Sequence, residues 1–344
     1  MTRIALVSFR LGGTDGVSIE AAKWVRVLRQ LGHDVRTVAG SGVAQRIVPG
    51  LAADAATPPT HAQLREALDG CALVVVENLA SLPLNVAARD VLYDVLEDRT
   101  AIFRHHDLAW QRAHLAHLEG PRDAPRWRHV TINDLSRREL LARGIVATTI
   151  YNSFDCAPTP GRRSPTRDAL CVGRERLVVL PTRAIARKNI AGALGLCEDL
   201  DAVLWIMGPA EDGYEDELAA LLDASPVRVR RRMPEGVTMG DAYAAADLVV
   251  MSSTWEGFGN PVLESVTHRR PLALHSYPVA REIAAFGFEF FDLDDVNGIA
   301  AFLERPDEAM LDANLRVARQ HFDIAGLPAR LRSLLAQALA TDDD

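Results

Sequence analysis

Lysine is nearly missing from this chain: of 38 basic residues only Lys23 and Lys188 are lysines. Arginine's planar fork serves everywhere else, so a compact ammonium has been kept at two positions alone. Cysteine is scarce as well, four residues at 71, 156, 171 and 197 with no close pair. That spacing excludes a disulfide-stapled scaffold and a structural zinc motif, and reads as reduced, mostly buried thiols of a cytoplasmic protein. No apolar run approaches the roughly 18 residues of a membrane span. The opening Met1-Thr-Arg-Ile leads into a strand, with no leader-like apolar core. A basic excess is missing too. Residues 1–155 carry 18 basic and 17 acidic side chains, and residues 156–344 carry 20 and 29, including the acidic tail Asp342–Asp344. Nucleic acid is therefore not the expected partner.

What is present is an ordinary globular composition, 48% apolar and 24% charged, over 344 residues, enough for two α/β domains. Apolar runs alternating with amphipathic stretches predict strands at Arg3–Ser8, Asp34–Val38, Ala72–Glu77, Thr100–Arg104, His129–Ile132 and Thr148–Tyr151. A second series is predicted at Arg176–Leu180, Ala202–Met207, Val227–Arg230, Leu248–Met251, Pro271–Leu274 and Phe288–Phe291. Helices fall between them, among them Ser18–Leu31, Asn85–Glu97 and Pro261–His268. The stretch from Cys156 to Pro165 has three prolines and one glycine and reads as a linker. The expected division is 1–155, a linker at 156–166, a second domain at 167–325 and a terminal helix at 326–344. The fold class is α/β, two Rossmann-like doubly wound parallel-sheet domains.

The densest chemistry lies in Ser253-Thr-Trp-Glu256-Gly-Phe-Gly-Asn-Pro-Val-Leu-Glu264, two glutamates separated by seven residues. Asn260 is expected to cap a helix with Pro261 at its first position. The amides of Val262 and Leu263 would then point out of the helix N-terminus and favour an anion. Gly257 and Gly259 let the preceding loop, with Phe258, come close to a ligand. Carboxylates for hydroxyls and amides for phosphate are together what a nucleotide sugar requires. Upstream, Arg183 and Lys188 follow the apolar run Arg176–Leu180, at a strand's carboxyl end, where open α/β sheets bind ligands. A lysine there, in so lysine-poor a chain, suits a tight diphosphate pocket.

Arg183 and Lys188 followed by the Glu256–Glu264 pair resemble the retaining glycosyltransferases of the GT-B fold, family 4. The likeness extends to the opening strand and glycine loop Ile4–Ser18, to His106-Asp107, to Ile150-Tyr-Asn152-Ser-Phe-Asp155 and to Ala245-Ala-Asp247. Ser153 replaces the family's usual glycine. The resemblance implies two domains facing a cleft, with the last helix crossing back to the first domain. It implies that Arg183 and Lys188 hold the donor diphosphate and Glu264 the ribose hydroxyls. Glu256, with the amides of Gly257 to Asn260, would meet the donor sugar, and His106 would contact the sugar being transferred. Gly13, Gly208 and Met233 join the expected donor contacts. Asp15, Gly16, Asn78 and Trp110 are the expected acceptor contacts, the indole suiting a sugar ring.

The implied activity is metal-independent, front-face transfer of a hexose from a nucleotide sugar, GDP-mannose before UDP-glucose, to a hydroxyl of a sugar or oligosaccharide. No cofactor and no metal are expected. Whether His105 or His106 faces the ligand stays open, as does the choice between monomer and homodimer. A sugar-nucleotide epimerase or phosphorylase on the same scaffold, or a non-catalytic scaffold subunit, are the competing readings.

Overall fold

A computed structural model describes residues 1–340; of the expected terminal segment, 341–344 lie outside the described residues. The chain divides into two units, residues 1–153 with 324–344, and residues 154–323. In the first, seven parallel strands are ordered β3-β2-β1-β4-β5-β6-β7. They are β1 Arg3–Leu11, β2 Asp34–Gly42, β3 Arg46–Ile47, β4 Leu73–Glu77, β5 Ala101–His105, β6 Trp127–Thr131 and β7 Ala147–Thr149. Helices α1 Gly16–Gln30, α2 His61–Ala67, α3 Val86–Leu96 and α4 Asp134–Leu141 return the chain to the sheet. Because helices cover both faces, the central strands are apolar throughout and not alternating, as in Leu73-Val-Val-Val76 of β4, all buried.

The helix Leu327–Leu339 belongs to this first unit although the second unit precedes it in the chain. Its apolar stripe, Leu327, Leu331, Leu334, Leu335 and Ala338, recurs at helical spacing. It packs into the cluster that holds Ile4, Leu6, Trp24 and Leu28.

The second unit has six parallel strands in the order β10-β9-β8-β11-β12-β13. They are β8 Arg176–Leu180, β9 Ala202–Ile206, β10 Val229–Arg231, β11 Leu248–Met251, β12 Leu272–Leu274 and β13 Phe291–Asp292. Its helices are α5 Arg163–Ala169, α6 Ile190–Asp199, α7 Glu215–Ala224, α8 Met239–Ala245, α9 Asn260–Thr267, α10 Pro278–Ala284, α11 Val296–Glu304 and α12 Glu308–His321. The strand order reverses between β8 and β11, which makes the carboxyl ends of these strands the expected ligand side. Among the described residues no helix is long and apolar enough to cross a membrane.

Two local expectations need correction. The segment read as linker through Pro165 turns helical at Arg163. Pro165 stands in the first turn, where a missing N–H breaks no bond. Arg163 and Arg167 both pair with Asp247, and Arg163 also donates to the last carbonyls of α8, so α5 is fixed by side chains and not by its own propensity. The last strand of the second sheet, expected at Phe288–Phe291, is Phe291–Asp292. Phe288 is drawn out of it to pack against Phe290 and Phe322.

Candidate active site

The second unit collects its chemistry where β8, β9 and β11 end. Past β8 the chain runs through Arg183 to a short turn, Ala186–Lys188, and reverses at Asn189, whose φ of 48° lies in the left-handed region. The Asn189 side chain accepts from the Gly192 amide at 3.2 Å and so caps α6, presenting the Arg187-Lys188 pair at the helix entrance. Two bonds tie this turn to the loop after β11: Thr254 N–H to the Arg187 carbonyl at 2.9 Å, and Ser252 Oγ–H to the Lys188 carbonyl at 2.7 Å.

Glu256 sits between the two cations. Arg187 Nη1 lies 2.7 Å from its Oε2, and Lys188 Nζ donates to its Oε1. Glu256 and Lys188 are each only 7% exposed. Burial works to raise the Glu256 carboxyl, but Lys188 and Arg187 outweigh it and hold the group down at about 2. Lys188 is displaced below its ordinary value by burial first; Glu256 favours the ammonium, but Arg187 and Arg183 oppose it. Arg183, half-buried, pairs with Glu211 at 2.6 Å. Three cations therefore share two carboxylates. Sequence reasoning missed Arg187 and Glu211; in a chain so rich in arginine nothing marks one at position 187.

Gly208 makes the two strand ends meet. A β-carbon there would lie 2.5 Å from Arg183 Cα and 2.6 Å from the Thr182 carbonyl oxygen, so only glycine lets the β9 end pass behind Arg183. Met233 is half-buried beyond β10, next to Arg232, whose φ is 65°.

The helix start differs from the expected one. Helix α9 begins at Asn260, and the capping position is Gly259, with φ 83°. Pro261 thus occupies the second position, and the Val262 amide, expected to point outward, closes a turn onto the Gly259 carbonyl at 2.9 Å. Gly259 is forced by its conformation and by Tyr277, whose hydroxyl would stand 2.6 Å from an added β-carbon. Phe258 turns its ring inward, stacked on Phe154 and edge-on to Phe322, and Val262 and Leu263 are fully buried. These three side chains belong to the core. Gly257 and Asn260 stay half-buried. Glu264 accepts the Tyr243 hydroxyl at 2.6 Å. Tyr243 is itself stacked on His268, so this carboxylate is set by α8 as well as by its own helix.

In the first unit Asp15 caps α1, accepting from the Ser18 amide at 3.0 Å and its hydroxyl at 2.8 Å, while pairing with Arg10. Gly16 opens that helix and Gly13 precedes it, with Asp15 Oδ2 within 2.8 Å of where its β-carbon would stand. The Trp110 indole donates to Glu139 at 2.8 Å and carries Arg143 at 3.8 Å from its ring centre. Much of its surface is thus taken up by the protein itself. His106 follows β5, buried, with Nε2 2.7 Å from Glu77 Oε2. His105, fully enclosed, pairs instead with His129, Nε2 to Nδ1 at 2.9 Å, and burial drives it well below the ordinary histidine value. Asn78 accepts the amides of His106 and Asp107 at 3.0 and 3.1 Å. Among the described residues no group of three or more His, Cys, Asp or Glu is arranged to hold a metal ion.

The family model for glycosyl transferases group 1 matches residues 183–320, the stretch that carries the cation cluster and both glutamates. Mannosylglucosylglycerate synthase of Petrotoga mobilis is 26% identical, with 84% of this chain and 86% of the relative covered. The enzyme of that name from Thermotoga maritima is 27% identical over 88% of each. Among solved structures, sucrose-phosphate synthase from Thermosynechococcus elongatus superposes with a TM-score of 0.74 at 15% identity, covering 99% of this chain and all of that one. Anabaena HepE in complex with UDP and glucose gives 0.70 at 18% identity, covering 98% and 100%. The fold is GT-B, and the chain is a glycosyltransferase.

Proposed function

We propose that this enzyme is a retaining hexosyltransferase that takes its sugar from a nucleotide-sugar donor, GDP-mannose before UDP-glucose, and passes it to a hydroxyl of a small glycoside. The observation that carries the reading is the surplus cation of the second unit. Arg183, Arg187 and Lys188 make their ion pairs with two carboxylates, Glu256 and Glu211, at the carboxyl ends of three adjoining strands and beside the α9 entrance. A diphosphate is the anion that fits such a place. Both relatives named for mannosylglucosylglycerate support a mannosyl donor and suggest a glucosylglycerate-type acceptor. The UDP-bound neighbour keeps UDP-glucose as the second choice.

In the proposed reaction the acceptor hydroxyl attacks the anomeric carbon on the face from which the nucleoside diphosphate leaves. The bond from that carbon to the phosphate oxygen breaks, the new glycosidic bond forms, and the hydroxyl proton passes to the departing phosphate oxygen. Configuration is retained. Lys188 and Arg183 stabilise the charge that grows on the leaving diphosphate, and Glu264 receives the ribose hydroxyls. Glu256, with an oxygen on each of Arg187 and Lys188, sets those cations and is not the attacking group. His106 contacts the transferred sugar. The cations do the work of a metal, so full turnover in EDTA is expected.

The test is thermal stabilisation by GDP, UDP and their mannose and glucose derivatives, followed by product analysis with glucosylglycerate. At about 100 times its Kd a bound nucleotide adds about 2.7 kcal/mol to stability. A GDP-selective shift with an α-linked mannosyl product is the expected outcome. A UDP-selective shift moves the donor to UDP-glucose. Sugar released or rearranged without addition to the acceptor would make the enzyme a phosphorylase or epimerase, and an inverted product would remove the front-face route.

A further inference from the structure

The first unit encloses a chain of charges that the donor chemistry does not use. Lys23 Nζ lies 2.5 Å from Glu20 Oε1 and donates to the Ser153 carbonyl at 2.6 Å. Glu20 Oε2 accepts from Arg104 Nη2 at 3.2 Å, and the same nitrogen donates to Asn152 Oδ1 at 3.2 Å. Arg104 Nη1 reaches Glu77 Oε1 at 3.4 Å, and the guanidinium rests on the Trp24 ring, 4.4 Å from its centre. Glu77 Oε2 completes the series on His106 Nε2. Glu20, Glu77 and Arg104 are each at most 1% exposed.

Enclosing three charges behind a partly buried lysine is costly, and an apolar cluster of the same volume would stabilise the fold as well or better. This one ends on a single imidazole, and that imidazole is held twice by adjoining residues. Glu77 takes its ring. Asn78, turned into the left-handed region at φ 59°, takes its backbone: Oδ1 accepts the His106 and Asp107 amides, and Ser81 Oγ–H at 3.0 Å fixes the same oxygen. Asn78 was expected to meet acceptor; its carbonyl oxygen is committed to this clamp.

The charges determine what the clamp does. Lys23 and Arg104 balance Glu20 and Glu77, so the cluster is neutral when His106 is neutral. Glu77 has its other oxygen on Arg104. Burial alone would raise the Glu77 carboxyl, but Arg104, with His106 assisting, holds it below the ordinary range. A neutral imidazole that donates through Nε2 keeps its lone pair on Nδ1. Among the described residues the hydrogen bonds of His106 run from its amide to Asn78 and from Nε2 to Glu77, and none involves Nδ1.

We propose that Glu77 and Asn78 are positioning residues that fix His106 as the Nε2–H tautomer and so make Nδ1 an acceptor for a hydroxyl of the transferred sugar. The tautomer stands on the geometry above; the sugar contact rests on the proposed function. The pair acts as a carboxylate–imidazole unit does elsewhere, by setting which ring nitrogen carries the proton.

The experiment combines long-range 1H–15N NMR of 15N-histidine-labelled enzyme, with His106 assigned through His106→Asn, and kinetics of Glu77→Gln. The wild type is expected to show His106 as the Nε2–H form near neutral pH. Glu77→Gln, near in shape but able to donate as well as accept, is expected to mix the tautomers. It should lower kcat about 10- to 100-fold while GDP or UDP stabilises the variant as it does the wild type. An Nδ1–H or doubly protonated His106 in the wild type overturns the proposal without any variant, which covers the case in which Glu77→Gln fails to fold. Unchanged kcat and unchanged tautomer in Glu77→Gln overturn it as well. Normal turnover in His106→Ala would strike the sugar contact, and with it the catalytic use of the pair, whereas loss of nucleotide binding in the wild type would strike the proposed function itself.

Discussion

Each unit holds one of the chain's two lysines in an ion cluster with an arginine and glutamate, and the two clusters differ in how their charges add. Around Lys23 the cations and carboxylates balance, and Trp24 and the α1 packing shut the arginine away from water. Around Lys188 three cations meet two carboxylates, and the outermost pair, Arg183 with Glu211, is half open to solvent. The same side chains can thus form a neutral interior or leave the positive surplus proposed to meet the donor diphosphate. The sum of charge and the access of water decide which.

The sharpest way to break this contrast is to remove each lysine. Lys188→Ala should lower kcat/KM by about 10²- to 10³-fold, since it removes the charge proposed to meet the leaving diphosphate. It should lower the melting temperature as well, since buried Glu256 loses one of its two cations. Lys23→Ala should cost about 2–3 kcal/mol in denaturant unfolding because, among the described residues, Glu20 is left with Arg104 alone, while kcat/KM falls far less than in Lys188→Ala. Should Lys23→Ala abolish turnover at full stability, the clusters would not differ as described.

A pH series sharpens it further. The Glu256 carboxyl is held at about 2 against an ordinary 4.5, so in the folded state it is harder to protonate than in the unfolded chain. It therefore contributes stability above about pH 4.5, and that contribution is lost as pH falls from there through about 2. Glu256→Gln should flatten the melting temperature's fall across that window; an unaltered slope would detach Glu256 from its two cations.

Smaller effects are expected at the α9 end. Glu264→Gln should raise the donor KM roughly tenfold by weakening hydroxyl contacts, with kcat kept. Tyr243→Phe, which frees a carboxylate oxygen from its phenol, should raise the same KM by a few-fold at most. If kcat fell in either variant while KM held, Glu264 would belong to the chemistry and not to donor binding.

Much of the architecture was legible because parallel strands buried on both faces write themselves as unbroken apolar runs. Arg176–Leu180 and Leu248–Met251 were bounded by the pattern alone and stand as read. The two-residue strand Arg46–Ile47 is too short to leave a pattern, and α5 hides behind the prolines that precede it. Within the site, the scarcity of lysine and its place after a strand picked out Lys188, and the seven-residue separation picked out Glu256 and Glu264. Arg187 could not be told from its many fellows, and Glu77 passed as the end of the strand Ala72–Glu77 because burial at a strand's last residue leaves no mark in the sequence. Gly259 was passed over as cap in favour of Asn260, since a positive φ is a property of the loop's path and not of a neighbouring side-chain type.

The helix Leu327–Leu339 also orders events in time. The second unit is one continuous stretch, and its two ends are joined by the Phe154 amide on the Phe322 carbonyl at 2.8 Å. A ribosome that has released residue 323 has released everything this unit needs. The first unit, begun earlier, still lacks the helix that covers Ile4, Leu6 and Trp24. During synthesis the domain started first is the one finished last, and until that helix emerges its apolar surface is open to chaperones.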